Sequence, residues 1–490
     1  MNNEEMILCN VPYSDLIIPM AAPAVLKGVG EAAGHKITTY DLTVDLRNRY
    51  EDHYQFMIDQ EYFISNSKKS DSIHEFIVES ATWLAASDYK YIGLSVFTIW
   101  SQQCIIELCK LIRELNPLKT IVIGGRGCGH TIAQNVIDHN HITSSDLFSE
   151  YMLEQQLVDH AICGDGEDAL VNFLDTGSSD LTFHESPTKL EYPYPNFDDY
   201  DFNAYVGPGG VIQIPIYSSK GCVRDCDFCD VRALFNKFKS KPGSRLADEM
   251  IYLSNRYDIY SFTLSDSIAN GNMVALRATM SRLAEHNKTH KTITWNGNWI
   301  CRPVGQIPIE FYKELKESGC DTLTVGAEHG STSVLEAMDK KTSAEALWYE
   351  LEQFSKNGIQ CSLNFIGGHW SETWDDFLIQ CKTMVGLQKY VASKTVVAIN
   401  LGSGFLIQSN TPAFNDRSKN KLEVYSDYNW NFLWKTGANP GLTLKERDYR
   451  QMILYTIVQT LNLPSAFNLD LLRIKNQLLN NEEVINEFFS

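Results

Sequence analysis

The chain has 490 residues, of which 44% are hydrophobic and 21% charged, a composition that excludes a disordered or fibrous protein. Its 61 acidic and 42 basic residues leave a net charge of −19, which disfavours nucleic acid and anionic lipid as partners. No apolar run reaches the roughly 18 residues of a spanning helix, and the first residues are acidic where a secretory signal is basic. We therefore expect a cytoplasmic protein without a membrane segment, divided into two large domains and a smaller one.

Residues 1–175 alternate short β-rich runs with helical stretches. The runs are Met6–Asn10, Lys36–Tyr40, Tyr91–Val96, Thr120–Gly124 and Val158–Cys163. This alternation predicts a Rossmann-like open parallel sheet, whose ligands bind beyond the carboxyl ends of the strands.

Four candidate ligand-binding residues stand at those strand ends. Ser95, Gly124, Gly125 and Gly164 begin the loops that reach Ser101, His130 and Glu167. Glycines in such positions also occur in plain tight turns, so both interpretations are open at this stage.

The next segment, residues 176–210, combines prolines with acidic residues and lacks a sustained apolar period, which is typical of a linker. Residues 211–407 then contain six further β-like runs separated by helical stretches. The runs are Ile212–Ser218, Tyr260–Ser265, Thr292–Asn296, Thr322–Gly326, Ser362–Ile366 and Thr395–Asn400. Six such units predict a partial (β/α)6 barrel.

The remaining residues, 408–490, form a small extension that we expect to be mainly helical and to pack over the barrel. Thr443 with Glu446 three residues later has the spacing of a capping box at a helix start. The predicted fold class is therefore α/β, with a parallel sheet domain, a linker, a partial barrel and this extension.

A tight cysteine cluster follows the first barrel strand. Cys222, Cys226 and Cys229 lie within eight residues, whereas the other nine cysteines are scattered in mostly apolar segments. Thiolates are soft ligands that select iron-sulfur clusters, zinc or copper. Three cysteines leave one iron of a cluster open for a substrate, which favours catalysis. The alternative is a zinc knuckle completed by a distant ligand, in a non-catalytic metal-binding module.

The pattern Cys-x3-Cys-x2-Cys, with the aromatic Phe228 before the last cysteine, resembles the signature of the radical S-adenosylmethionine (SAM) enzymes. This resemblance implies a [4Fe-4S] cluster whose open iron chelates SAM, and a 5'-deoxyadenosyl radical formed by reductive cleavage. Besides Phe228, it implies cofactor contacts from polar residues at strand ends, here Ser265, Asp266, Glu328 and Asn364. Helix capping is the alternative role for Ser265 and Asp266.

The element around the fifth barrel strand departs from this family pattern. It usually reads Gly-x-Pro-Gly-Glu-Thr in the subgroup with an amino-terminal sheet domain, but His369 and Trp370 intrude here and the proline is missing. His369 is interpreted either as a proton donor or as an ordinary loop histidine.

The order of the two domains resembles the cobalamin-binding subgroup, and residues 163–167 (Cys-Gly-Asp-Gly-Glu) are similar to its Gly-Asp/Glu-Gly-Glu turn. The resemblance implies cobalamin over the strand ends of the first sheet and methyl transfer to a substrate radical. The Asp-x-His-x-x-Gly motif that supplies a lower axial histidine is absent, so cobalamin would bind without that ligand, or the domain has lost it.

Our leading hypothesis is a cobalamin-dependent enzyme that methylates an unactivated carbon of a small metabolite or peptide. The alternatives are a ring closure or rearrangement, and methylthio transfer, which needs a second cysteine cluster that we do not see. The family implies a ferredoxin or flavodoxin as the electron donor. Candidate residues for the substrate pocket are Trp295, Asn296, Trp299 and Arg302, with core packing as the alternative for both tryptophans.

Overall fold

The structure, a computed structural model, divides into two compact units, Met1–Pro215 and Ile216–Ser490. The described residues are 5–12, 16–66, 69–130, 147–180, 182–187, 189–205, 207, 210–402, 404–408, 411–424, 430–431 and 433–465.

The first unit is built on a five-stranded sheet in which every strand pair is parallel. Its strands are β1 (Met6–Asn10), β2 (Ile37–Asp41), β3 (Tyr91–Ser95), β4 (Thr120–Gly125) and β5 (His160–Cys163). Their order across the sheet is β2-β1-β3-β4-β5. All five predicted strands are confirmed, with bounds that differ by at most two residues.

In the described residues, seven helices cover the two faces of this sheet: α1 (Ala21–Ala32), α2 (Leu42–Arg47), α3 (His53–Asn66), α4 (Asp71–Ala86), α5 (Gln102–Leu115), α6 (Phe148–Glu154) and α7 (Glu167–Thr176). Alternation along β1 places Met6 and Leu8 in one apolar cluster with Phe173 of α7. Ile7 and Cys9 belong to the other cluster. Both faces of the sheet are thus buried, which explains why its strands contain nearly continuous runs of apolar residues.

The segment predicted as a linker packs closely on this first unit. The Asp199 carboxylate accepts hydrogen bonds from the Thr39 backbone N–H at 2.7 Å and from Lys27 Nζ at 2.5 Å. The Tyr205 hydroxyl donates to the Asp41 carboxylate at 2.7 Å. These buried contacts fix the segment against α1 and β2.

The second unit is organised by a six-stranded sheet: β6 (Ile214–Ile216), β9 (Ser261–Leu264), β10 (Thr294–Trp299), β11 (Cys320–Glu328), β12 (Gln360–Phe365) and β13 (Val396–Asn400). The order is β13-β12-β11-β10-β9-β6, and the pairs from β9 to β13 are parallel. Within the described residues β6 and β13 are its two edges, so the sheet is an open, partial barrel as predicted. A short antiparallel ribbon of β7 (Ser219–Lys220) and β8 (Lys239–Ser240) flanks the cysteine cluster.

The helices between these strands follow the predicted order. They are α8 (Val231–Leu234), α9 (Arg245–Tyr257), α10 (Met273–Asn287), α11 (Ile309–Glu317), α12 (Thr332–Ala337), α13 (Ala344–Asn357), α14 (Trp374–Gly386) and α15 (Gln388–Ala392). Among the helices that the structure describes, none is both long and apolar enough to cross a bilayer.

The described part of the extension contains two small antiparallel ribbons that the sequence did not predict, together with the predicted helix. The strands are β14 (Ile407–Gln408), β15 (Leu422–Val424), β16 (Trp430–Asn431) and β17 (Trp434–Thr436), and the helices are α16 (Pro412–Asn415) and α17 (Leu444–Thr460). Thr443 Oγ1 accepts the Glu446 backbone N–H at 3.2 Å, but the Glu446 carboxylate binds Arg450. Only half of the capping box forms.

Candidate active site

The three clustered cysteines lie on the loop that follows β7, at the carboxyl end of β6. Cys226 is buried, whereas Cys222 and Cys229 are half-buried, and the Cys229 backbone N–H donates to the Cys226 carbonyl at 3.1 Å. Gly221 enters the loop at a φ of +81°, a conformation that favours glycine. The loop therefore presents three thiols where barrel enzymes place their chemistry.

Neighbouring segments hold this loop through its backbone and through Asp227. The Asp227 backbone N–H donates to the Met338 carbonyl at 3.0 Å, and the Ala413 backbone N–H donates to the Asp227 carbonyl at 2.8 Å. The Asp227 carboxylate bonds to Nε2 of the fully buried His369 at 3.0 Å. His369 is thus neither exposed nor an ordinary loop residue, because its hydrogen bond connects the segment after β12 to the cysteine loop.

The extension contributes a further contact to this loop. Gln408 Nε2 donates to the Asp230 carboxylate at 2.7 Å. Together with Ala413, this bond shows that residues after the barrel help to define the conformation of the cysteine loop. Sequence reasoning missed this role, because no local pattern connects positions almost 200 residues apart.

Burial makes the thiols of Cys226 and Cys229 poor acids on their own. It raises the pKa of Cys226 to about 12, against the opposing effect of the Lys340 ammonium, and it raises the pKa of Cys229 to about 11. Each thiolate would also repel the others, so the thiolate form requires an added positive charge. A soft metal centre supplies that charge, and the set of donors fits an iron-sulfur cluster.

Within the described ranges, no three His, Cys, Asp or Glu side chains are grouped to hold one metal ion. The cysteines of an iron-sulfur cluster bind different irons, so three thiols on one short loop need not converge on a single point.

A buried ion pair lies near Cys226. Lys340 Nζ is 2.5 Å from Glu328 Oε1, and both side chains are less than 10% exposed. Burial acts to lower the pKa of Lys340, but the adjacent Glu328 carboxylate outweighs it, and the pKa ends above its ordinary value. Lys340 therefore stays cationic and acts electrostatically on Cys226.

The backbone around this pair adopts unusual conformations. Glu328, Asp339 and Lys341 all have a positive φ, between +52° and +59°. A Cβ on Gly326 would lie 2.5 Å from Glu328 Oε1 and 2.8 Å from Lys340 Nζ, so only glycine leaves room for the pair. Non-glycine residues in this region cost about 1 kcal/mol or more each, and such strain concentrates at functional sites. Sequence reasoning found Gly326 and Glu328 but missed Lys340.

The predicted residues after β9 have different surroundings. Asp266 is buried and accepts the backbone N–H groups of Ser218 and Ser219 at 2.8 and 3.0 Å, together with the Ser218 hydroxyl. Burial raises the pKa of Asp266 to about 6. Ser265 is exposed, and its backbone N–H bonds to Ile216 at 2.7 Å. Asn272 caps the next helix, so neither residue has the alternative capping role.

Two further predicted residues lie on the inside of this site. Phe228 packs against the apolar cluster that contains Trp370 and Trp434, and Lys340 Nζ lies 5.7 Å from its ring centre. Asn364 is half-buried, and its side-chain oxygen accepts a hydrogen bond from Asn400 at 2.7 Å.

The glutamate of the fifth-strand element, Glu372, is fully buried. Its carboxylate contacts His329 Nε2 at 3.1 Å, accepts the Gly368 backbone N–H at 2.8 Å, and forms a salt bridge of 2.8 Å with Arg450 of α17. The intruding His369 and Trp370 are accommodated because Trp370 enters an apolar cluster. The loop is thus a packed element despite the missing proline.

The tryptophans proposed for the substrate pocket lie in the core. Trp295 and Trp299 are at most 2% exposed, and Trp299 packs against Phe311 and Phe354. Core packing is therefore the correct interpretation for both. Arg302 is only half-buried.

In the first unit, the predicted residues meet at the carboxyl edge of the sheet. Ser95 pairs with Gly124 in the register, and Gly125 pairs with Cys163. Gly125 and Gly164 have positive φ, and a Cβ on either would collide with the backbone oxygen of Val96 or His184. These two glycines are thus required by close backbone packing.

The same edge exposes aromatic side chains. Phe97 and Phe183 are 51% and 43% exposed, and they lie beside Gly127 and Gly129. An added Cβ on Gly124 would make only ordinary contacts, at 3.7 Å or more. The described part of the edge therefore combines glycine backbone, which has no side chains, with exposed apolar rings. Such a surface is suited to a large flat ligand.

Comparison with protein families supports this geometry. Residues 216–379 match the model of the Radical SAM superfamily. The second unit therefore contains a Radical SAM domain. The matched segment runs from the end of β6 into α14 and includes the cysteine loop.

Two curated relatives match at low identity. A ribosomal protein uS12 methylthiotransferase, RimO, of Bacteroides fragilis is 24% identical over 164 residues, covering 32% of this chain and 38% of the relative. An uncharacterized methyltransferase of Pyrococcus horikoshii is 22% identical over 290 residues, covering 55% of this chain and 58% of the relative. The matched regions thus span less than two thirds of either relative.

Among solved structures, the radical SAM methyltransferase TsrM from Kitasatospora setae has a similar fold. It was solved with cobalamin and a [4Fe-4S] cluster bound, and it matches with a TM-score of 0.61 at 14% identity. The match covers 93% of this chain and 89% of TsrM. The similarity in fold thus extends over most of the chain.

Proposed function

We propose that this protein is a cobalamin-dependent radical SAM enzyme that methylates an unactivated carbon of a small molecule or peptide. The observation that carries the proposal is the thiol loop with Cys222, Cys226 and Cys229, held beside the buried Glu328–Lys340 pair within the Radical SAM domain. When bound to these cysteines, a [4Fe-4S] cluster with an open iron would supply the reductive cleavage of SAM.

The residues around the loop have distinct roles in this proposal. Lys340 brings a permanent cation close to Cys226, which favours the thiolate and is suited to an anionic ligand group. His369 holds the loop through Asp227, and Gln408 holds it through Asp230. Ser265 and Asn364 supply polar groups at strand ends that can donate to or accept from SAM.

In the first unit, we propose that cobalamin binds at the carboxyl edge of the sheet. The exposed rings of Phe97 and Phe183 and the bare backbone at Gly124 support this assignment. TsrM, which has the same fold, binds cobalamin. A ferredoxin or flavodoxin as the electron donor and a cytoplasmic location remain predictions.

The test is anaerobic reconstitution with iron, sulfide and hydroxocobalamin, followed by reduction in the presence of SAM that carries a labelled methyl group. We expect about four irons per chain, retained cobalamin, 5'-deoxyadenosine, and label in the product once a substrate is supplied. Deoxyadenosine without label in the product would favour ring closure or rearrangement. No iron and no SAM cleavage would contradict the proposal.

The matched variants are Cys226→Ala and Cys381→Ala. Cys381 is a half-buried cysteine of α14 outside the loop. We expect Cys226→Ala to abolish stable iron binding and SAM cleavage while circular dichroism shows a folded chain, and Cys381→Ala to retain both. Full iron content in Cys226→Ala would disprove the role of the loop.

A further inference from the structure

Two arginines, one in the cysteine loop and one after β10, form no salt bridge with an acidic side chain in the described part of the chain. Arg224 lies between Cys222 and Cys226, and Arg302 follows β10 by three residues, so both stand at the carboxyl end of the barrel sheet. Nε of each guanidinium is buried without a hydrogen-bond partner among the described residues. Buried donors without partners are rare in folded proteins and call for a ligand or another explanation.

The two guanidinium groups are close enough to affect each other. Burial lowers the pKa of Arg302, and repulsion from Arg224 lowers it further. Arg302 is fixed by a hydrogen bond from its terminal nitrogen to the Asn270 carbonyl. Asn270 is itself fully buried and bonded to the backbone of Ile300 at 2.9 and 3.2 Å. Arg302 therefore cannot move away from Arg224 without breaking these contacts.

The acidic groups nearby do not neutralise this pair. Asp225, next to Arg224, forms a salt bridge of 3.0 Å with Arg232. Glu350 attracts Arg302, but burial raises the pKa of Glu350 to about 7, so near neutral pH its carboxyl is only partly ionised. One Glu350 oxygen accepts the Arg302 backbone N–H at 3.5 Å. Two arginines that repel each other, with only the partly ionised Glu350 to offset their charge, are unusual in a chain with a net charge of −19.

A cavity opens beside Pro303, the residue that follows Arg302, although neither arginine is among its lining residues. It has a volume of about 420 Å³ and is lined by Pro303, Glu336, Asp339, Lys341, Thr342 and Ser343. Pro303 directly follows Arg302, and Asp339 and Lys341 flank Lys340. A cavity of this size is within the range of small-molecule sites.

We propose that Arg224 and Arg302 form an anion subsite that binds a carboxylate or phosphate group of the substrate. An oxyanion between two guanidinium groups would accept the donors that lack partners and offset their repulsion, with charge-assisted hydrogen bonds. This inference rests on the proposed function, because it names the class of substrate for the same site: a molecule with an anionic group.

The test uses the reconstituted enzyme with saturating SAM, so that the SAM site is filled. Isothermal titration calorimetry compares three probes: N-acetylglycine, its neutral match N-acetylglycinamide, and inorganic phosphate. We expect N-acetylglycine or phosphate to bind and the amide not to bind; the stronger of the two anions distinguishes a carboxylate from a phosphate site. Binding of the amide with equal affinity, or binding of neither anion, would overturn the proposal.

Variants assign the binding to the two arginines. Arg224→Gln and Arg302→Gln should each weaken anion binding by roughly tenfold or more. Arg282→Gln on α10, whose side chain is 46% exposed, is the matched control and should not change it. Unchanged binding in both Arg224→Gln and Arg302→Gln would refute the assignment.

A second measurement does not depend on the folding of a variant. Phenylglyoxal modifies arginines, and mass spectrometry reports the extent of labelling at each position in the wild-type enzyme. We expect the anion that binds to slow labelling of Arg224 and Arg302 relative to Arg282. Full protection by SAM alone would instead place both arginines in the SAM site and overturn the proposal.

One preparation of the reconstituted enzyme tests the proposed function and the anion subsite separately. Iron content and 5'-deoxyadenosine formation by the wild-type enzyme test the proposed function. Their presence without anion protection contradicts only the subsite. Their absence contradicts the proposed function, while calorimetry and labelling still decide whether the arginines bind an anion.

Discussion

The carboxyl ends of the two sheets are built in different ways. In the first unit, the edge consists of backbone and apolar rings: Gly125 and Gly164 pack against neighbouring carbonyls, and Phe97 and Phe183 are exposed. In the second unit, the corresponding end contains buried charges, with Glu328 paired to Lys340 and the two arginines near the cysteines. The first edge is therefore determined by close steric contacts and the second by electrostatic interactions. We expect the first to be sensitive to added side-chain atoms and the second to the loss of a charge.

The largest effect on stability is expected from Lys340→Gln. This change leaves the buried Glu328 carboxylate without its partner at 2.5 Å, which costs roughly 3 to 5 kcal/mol. Lys341→Gln is the control, because that side chain is 61% exposed and should change stability by less than about 0.5 kcal/mol. Urea unfolding monitored by circular dichroism measures both. Equal stability of the two variants would show that the pair contributes nothing.

Glu350→Gln should remove a pH dependence of roughly 3 kcal/mol. Burial raises the pKa of Glu350 from 4.5 to about 7, so the folded state binds the proton more tightly than the unfolded state does. The folded protein therefore loses stability as pH rises from about 4.5 to about 7. Asp266, with a pKa raised to about 6, adds a smaller slope of the same sign. The free energies of unfolding at pH 5 and pH 8 should differ less in Glu350→Gln than in the wild-type protein. The same difference in both proteins would contradict this account.

At the first edge, backbone packing predicts a contrast between two glycines with similar φ. Gly164 has a φ of +92° and meets the His184 backbone, whereas Gly34 has a φ of +98° and nothing within 4 Å of an added Cβ. Gly34→Ala should cost about 1 kcal/mol from backbone strain, and Gly164→Ala about 1 to 3 kcal/mol more from the collision. Thermal unfolding compares the variants. Equal costs would mean that the edge tolerates movement at His184.

The smallest effect on stability is expected from Phe97→Ser, because a 51% exposed side chain contributes little to the core. Stability should change by less than about 0.5 kcal/mol, while hydroxocobalamin binding, measured by retained absorbance after gel filtration, should weaken by roughly tenfold. Leu118→Ser, at a residue 92% exposed ahead of β4, is the control and should retain the cofactor. Unchanged retention in Phe97→Ser would argue against cobalamin at this edge.

The sequence by itself determined the architecture and the thiol loop. Eleven strands were predictable because short β-rich runs between helical stretches are a local pattern, and the cysteine spacing was visible because all three thiols lie within eight residues. The fifth-strand element was recognised, but the roles of His369 and Trp370 were not, since both depend on what the chain packs against them.

Only the tertiary structure decided which charges meet. Lys340 was not distinguishable from Lys341 in the sequence, yet one is buried against Glu328 and the other points to solvent. Arg224 and Arg302 are 78 positions apart, and Gln408 reaches Asp230 across 178 positions. The physical reason is that local patterns specify periodicity and turns, whereas pairing of buried charges depends on which strand ends the folded sheet brings together.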